Sequence, residues 1–222
     1  PTHGAPDIRN WRVKQEWLVL GANRVVAPSQ DTAGRIERYT GRRPDVQYHQ
    51  PEIMRPAIRP RVGQEEFRVV VIGVLAPHKG RATVISVASA ARELDLPLTL
   101  HLIGDPQGEV PRRAQKRLTY TGSYHEEELE DLINEAKADA FLFAAPWPET
   151  YSYTLSAAMR TGRPIVATNI GAFTERLKDY HSALLVPWNI GGEELARQIV
   201  SYLRSLQKNG AGDTQVLSMS PV

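Results

Sequence analysis

Between residues 67 and 187, apolar residues fall in short, near-continuous runs, and the stretches between them repeat apolar positions at helical spacing. Phe67–Ile72, Leu98–Ile103, Leu118–Thr121, Phe141–Ala145, Pro164–Ala167 and Ala183–Pro187 read as strands. Their near-continuous apolarity fits a sheet buried on both faces better than one with a wet face. Val84, Val87, Ala88 and Ala91 share one face of a helix over about 81–94. Leu129, Leu132 and Ile133 do the same over 126–137. Further helices are expected at 155–160, stopped by Gly162, at 172–178 and at 193–206. Residues 105–117 are polar and expected to be irregular. Alternating strands and helices predict an α/β fold, a parallel sheet with helices on both faces.

The first third of the chain carries a weaker pattern. Residues 1–17 have poor helical periodicity, and a better signal begins at Leu18–Leu20. A strand at about 23–29, a helix over 30–39 with Ser29 as N-cap and Asp31 in its first turn, and a short strand at 46–49 follow. The expected domains are thus a remnant of a second domain over 1–50, a proline-bearing linker over 51–66, the main domain over 67–208, and a disordered tail over 209–222.

Composition narrows the chemistry. The chain has 222 residues, 41% hydrophobic and 23% charged, as in an ordinary soluble protein. A net charge of +2 is too small to argue for nucleic acid, although the pI is about 9.0. Without cysteine, disulfides, thiolate metal sites and cysteine nucleophiles are excluded, and a reducing cytoplasm fits. No apolar run approaches the ~20 residues that span a bilayer, and the N-terminus lacks a signal-peptide pattern. The start at Pro1, without methionine, leads us to expect a fragment or a processed chain.

Two loops are candidates for function, because ligands of parallel sheets sit at the carboxyl ends of strands. The loop Gly73–Gly80 places His78 and Lys79 before a helix, where a lysine can meet a diphosphate; a solvated lysine in a tight turn fits the spacing equally well. The second loop breaks at Pro146-Trp147-Pro148, presents Glu149, and passes through Thr150, Tyr151, Ser152, Tyr153 and Thr154 into a helix at Leu155. A phosphate at the helix start, with a polyol beside Glu149, suits these groups. The competing reading of Glu149 is a carboxylate complementing the macrodipole. Tyr151 and Tyr153 either stack on a ligand ring or pack on the sheet edge. The six histidines form no metal spacing, and Ser152 lacks the G-x-S-x-G context of a hydrolase.

Ile72-Gly73 to Lys79-Gly80, Ile103-Gly104-Asp105, Tyr120-Thr121-Gly122, Pro148-Glu149 to Met159, Gly162-Arg163-Pro164 and Gly171-Ala172 together resemble the C-terminal domain of retaining GT-B glycosyltransferases of family 4. The strings HKG, WPETYSYTLS and NIGAFTERL are similar to a bacterial branch acting on surface polysaccharides. The resemblance covers about residues 18–206. It implies a Rossmann-like domain that binds a nucleotide-diphosphate sugar, with most of the N-terminal, acceptor-side domain absent. It further implies transfer to a glycan acceptor with retention, by front-face attack without a protein nucleophile, cofactor or metal. The site would be cytoplasmic, with peripheral association of the full-length enzyme at the inner face of the membrane.

By the same resemblance, Glu149 is the catalytic glutamate beside the donor sugar and Lys79 the diphosphate lysine. Gly73, His78 and Gly80, together with the turn from Thr150 to Leu155, approach sugar and phosphate, and Tyr124 lies near the base. Two positions depart from the family. The second glutamate of E-x7-E, which bonds the ribose, falls at Ala157; Val74 stands where many members carry an arginine. A non-catalytic nucleotide-binding or scaffold module with a degenerate donor site is therefore the rival expectation. A sugar-nucleotide epimerase or a phosphorylase on the same fold is a third.

Overall fold

The computed structural model describes residues 7–49 and 55–213, with side chains to residue 208. The start of the expected linker and the tail from 214 onward lie outside the described residues.

Six parallel strands form the main sheet: β3 (Phe67–Ile72), β4 (Leu98–Ile103), β5 (Leu118–Tyr120), β6 (Ala140–Phe143), β7 (Ile165–Thr168) and β8 (Ala183–Val186), preceded in the chain by the short strands β1 (Val26–Ala27) and β2 (Asp45–Val46). Their order is β5-β4-β3-β6-β7-β8. The chain runs outward from β3 to one edge, returns, and runs from β6 to the other. This is the doubly-wound order with its reversal between β3 and β6. Strand side chains alternate between two cores. Val69 and Val71 face one core, shared with Val84, Val87, Leu195 and Ile199. Val70 and Ile72 face the other, shared with Ile133, Leu155, Met159 and Phe173. The sheet is therefore covered on both sides, which is why most of its strand positions are apolar.

The covering helices are α3 (Arg81–Glu93), α4 (Arg112–Gln115), α5 (Leu129–Ala136), α6 (Tyr153–Met159), α7 (Ala172–Arg176) and α8 (Gly192–Asp213). A 3-10 turn at Glu126–Glu128 leads into α5, and the His125 amide donates to Glu128 Oε2 at 2.7 Å. The one-turn helix α4 lies in the stretch expected to be irregular; only Ala114 of it is buried, so no periodicity marks it. Helix α8 continues to Asp213, past residue 209 where the tail was expected to begin.

The first unit has α1 (Ile8–Leu20) and α2 (Gln30–Thr40), the latter joining β1 to β2 in a small parallel pair. Helix α1 includes Leu18–Leu20 and buries no residue, so nothing selected for an apolar face. The segment expected to be a linker has no helix or strand over 55–66, but it is strapped to the main domain. The Ile58 amide donates to the Gly162 carbonyl at 2.8 Å, and Gln207 Nε2 donates to the Arg61 carbonyl at 2.6 Å. No helix among the described residues is long and apolar enough to cross a membrane.

Candidate functional site

The reversal between β3 and β6 opens a crevice at their carboxyl ends, walled by the loops that leave each strand. Its floor is backbone: a Cβ on Gly104, at φ 144°, would overlap the Gly73 carbonyl, so the loops after β3 and β4 run in direct contact.

Lys79 ends a 3-10 turn (Pro77–Lys79) on the first loop, and Glu149 lies on the second. Residues 70 apart in sequence meet here: Lys79 Nζ is 2.6 Å from Glu149 Oε1. The Lys79 side chain is 44% exposed and that of Glu149 is 17% exposed. The ammonium end of the pair is open to solvent, so an incoming anion can reach it.

The crevice has two compartments. The smaller, about 80 Å³, is bounded by Lys79, Glu149, Ser152 and Phe173. The larger, about 420 Å³, is bounded by Asp105, Ser123, Tyr124, Glu126, Ala157 and Arg160. Gly73, Val74 and Thr154 line both and mark the junction. Burial, and then the charge of Glu126, raise the pKa of Tyr124, which keeps its phenol protonated as a hydrogen-bond donor. Among the described residues, no group of three or more His, Asp or Glu side chains gathers where a metal ion could be held.

The turn before α6 is held from below. Arg176 is buried, and its Nη1 donates to the Tyr151 carbonyl at 2.7 Å and the Ser152 carbonyl at 2.8 Å. Its Nη2 donates to Ser156 Oγ at 2.7 Å, and the guanidinium lies 4.0 Å over the Tyr151 ring. Ser152 keeps a positive φ of 75° there. Gly171 supports Glu149: a Cβ on it would come within 2.6 Å of the Glu149 amide nitrogen, and the Ala172 amide donates to the Glu149 carbonyl at 2.9 Å.

The first unit rests on the same turn. The Glu175 carboxylate accepts from the Gln30 and Asp31 amides at 2.9 and 2.8 Å, capping α2 from α7. The His49 ring stacks on Tyr153 with centroids 5.4 Å apart and meets the edge of Tyr151 at 4.9 Å.

Several sequence expectations are refined by this geometry. Gly73, Lys79, Tyr124, Glu149, Ser152, Tyr153 and Thr154 line the crevice. The two tyrosines part company: Tyr151 is 2% exposed and packs under Arg176, whereas Tyr153 is 59% exposed beside the larger compartment. Tyr151 therefore offers no stacking face to a ligand. Leu155 is buried, and its amide donates to Ser152 Oγ at 3.3 Å, so it is committed to the N-cap and not free for a phosphate. The Tyr153 and Thr154 amides have no acceptor among the described residues. Gly80 abuts the Ala144 carbonyl and serves packing. His78 and Thr150 are exposed and line neither compartment.

Arg176 was missed by the sequence reading, but it carried a signal. It lies four residues after Ala172, on the inward face of α7, where a cation needs partners. Arg160 and Glu126 carried none, because charged residues at helix ends are common.

A profile of the family described as Glycosyl transferases group 1 matches residues 66–205. A search of curated proteins returns no match. Among solved structures, the chain is similar to Anabaena HepE in complex with UDP, with TM-score 0.66 and 18% identity over 94% of this chain and 64% of that one. It is similar to sucrose-phosphate synthase from Thermosynechococcus elongatus, with TM-score 0.66 and 18% identity over 97% of this chain and 59% of that one. A glycosyltransferase from Rickettsia africae gives TM-score 0.59 and 15% identity over 94% and 62%. The chain thus spans less than two thirds of each of these proteins, and at these identities the likeness establishes the fold, that of GT-B glycosyltransferases. The matched residues span all six strands of the main sheet and both walls of the crevice, and on that ground the chain belongs to the Glycosyl transferases group 1 family.

Proposed function

We propose that this chain is the donor-binding half of a family 4 retaining glycosyltransferase that moves a sugar from a nucleotide diphosphate to a glycan acceptor. The observation that carries this reading is the division of the crevice, with Lys79 and Glu149 meeting in the small compartment beside the junction. The nucleoside occupies the larger compartment, with Tyr124 near the base and Ala157 beside the ribose. The diphosphate crosses the junction at Gly73 and Thr154, where the Tyr153 and Thr154 amides and the Lys79 ammonium meet it. The sugar sits against Glu149, whose carboxylate accepts from its hydroxyls. HepE is described in complex with UDP and with UDP and glucose, which supports a UDP-linked donor.

Transfer then depends on positioning and on stabilising the departing diphosphate. As Lys79 moves from Glu149 to the phosphate, the freed carboxylate is left to hold the sugar. The acceptor approaches from the side of β1–α2, which belongs to the acceptor domain. A cytoplasmic enzyme at the inner membrane face, building a bacterial surface polysaccharide, fits the cysteine-free composition and the motif strings.

Ala157 and Val74 favour a second reading, a degenerate donor site on a scaffold module, since both side chains line the crevice at family ligand positions. Calorimetry with UDP, GDP and dTDP on the wild type and Ala157→Glu separates the two. A hydrogen bond to a charged group contributes ~1.5–3 kcal/mol, so the variant should bind its nucleotide about tenfold or more tightly. If none of the three binds wild type or variant at millimolar concentration, the donor reading fails.

A further inference from the structure

A further cavity, of about 320 Å³, lies between α5 and α6 and is lined by Arg55, Glu130, Lys137, Arg160 and Arg163. It adjoins the donor crevice, because Ala157 and Arg160 line both. Four cations face it against one carboxylate. Arg55, Lys137 and Arg163 make no ion pair among the described residues. Arg160 Nη2 lies 3.6 Å from Glu130 Oε1, and that carboxylate is 78% exposed.

Lys137 and Arg160 sit at helix C-caps, where a cation complements the macrodipole. That accounts for one charge at each helix. It does not account for Arg55, which arrives on the strap, or Arg163, which follows Gly162 toward β7. The strap fixes Arg55 in place through its own carbonyl, 2.9 Å from His181 Nε2. Three elements thus converge on one cavity of ligand size, and the macrodipole accounts for only two of its four cations. Concentrated positive charge of this kind is relieved by an anion with several acceptor oxygens.

We propose that this cavity binds a phosphate monoester, at a site distinct from the diphosphate position at Lys79. The phosphate oxygens bridge Arg163 and Lys137, and Arg160 leaves Glu130 to join them. Since Arg160 also lines the nucleoside compartment, occupancy of one cavity alters the wall of the other.

The test titrates inorganic phosphate at constant ionic strength into the wild type, Lys79→Ala and the double variant Lys137→Ser/Arg163→Ser. Flotation with phosphatidic acid–phosphatidylcholine vesicles, whose phosphatidic acid presents a phosphate monoester, runs in parallel. Thermal melting confirms folding, with Arg163→Ser alone as the substitute if the double variant does not fold. Saturable phosphate binding that survives Lys79→Ala and weakens about tenfold or more in the basic-cavity variant supports a soluble phosphorylated ligand. Flotation lost in that variant, without saturable phosphate binding, supports a lipid headgroup as the source of the phosphate. Phosphate binding abolished by Lys79→Ala, binding unchanged in the cavity variant without lost flotation, or no binding of either probe overturns the proposal.

Discussion

On the proposed donor reading, replacing Glu149 with alanine in the full-length protein is expected to move transfer and nucleotide affinity in opposite directions. The side chain is 17% exposed, and its carbonyl is fixed by the Ala172 amide at 2.9 Å, so the truncation leaves the loop path intact. Transfer loses the carboxylate that orients the sugar and should fall by a factor of about 10²–10³. The nucleoside diphosphate loses a nearby like charge, and Lys79 loses the partner it holds at 2.6 Å. Affinity for the free diphosphate should therefore hold or rise. Initial rates with a saturating donor, set beside calorimetry of the diphosphate, check both halves. Near-normal turnover removes Glu149 from the site. A parallel fall in rate and affinity makes it a structural group.

Arg176→Met is expected to have the largest effect on stability. The guanidinium serves the Tyr151 and Ser152 carbonyls and Ser156 Oγ, all at 2.7–2.8 Å, in a buried position. Methionine fills much of the volume but leaves these acceptors without their donors. Each unsatisfied buried group costs ~1–3 kcal/mol, so the loss should amount to several kcal/mol. Arg176→Lys should recover little, because an ammonium cannot reproduce the planar fork. Denaturant unfolding measures the loss. Because Ser152 holds a φ of 75° in this turn, nucleotide affinity should fall along with stability. A variant of wild-type stability would show that the turn holds itself.

The sheet was legible in the sequence because its strands are buried on both faces. Phe67–Ile72 and Leu98–Ile103 are apolar runs whose ends coincide with the strand ends. Burial leaves that pattern, so elements that bury little leave none. Helix α1 has no buried residue, and α4 is one turn long. The two candidate loops were legible from their places after β3 and β6, and Glu149 and Lys79 were singled out within them. Their mutual contact was not, since no local pattern relates positions 70 apart. The partition of Tyr151 and Tyr153 was also hidden: Tyr151 lies in the turn before α6 and Tyr153 is its first residue, and it is the Tyr151 ring that the buried Arg176 guanidinium covers. The charge convergence of Arg55, Lys137, Arg160 and Arg163 depends on three elements meeting, which no single stretch displays.

The central claim is that Lys79 grips the diphosphate of a nucleotide in this crevice. The most direct test is the ratio of affinities for a nucleoside diphosphate and its monophosphate, measured in the wild type and in Lys79→Met. A charge-assisted contact to the second phosphate predicts a wild-type preference for the diphosphate of about tenfold or more, collapsing toward unity in the variant. An equal preference in both proteins would place the diphosphate elsewhere and contradict the account.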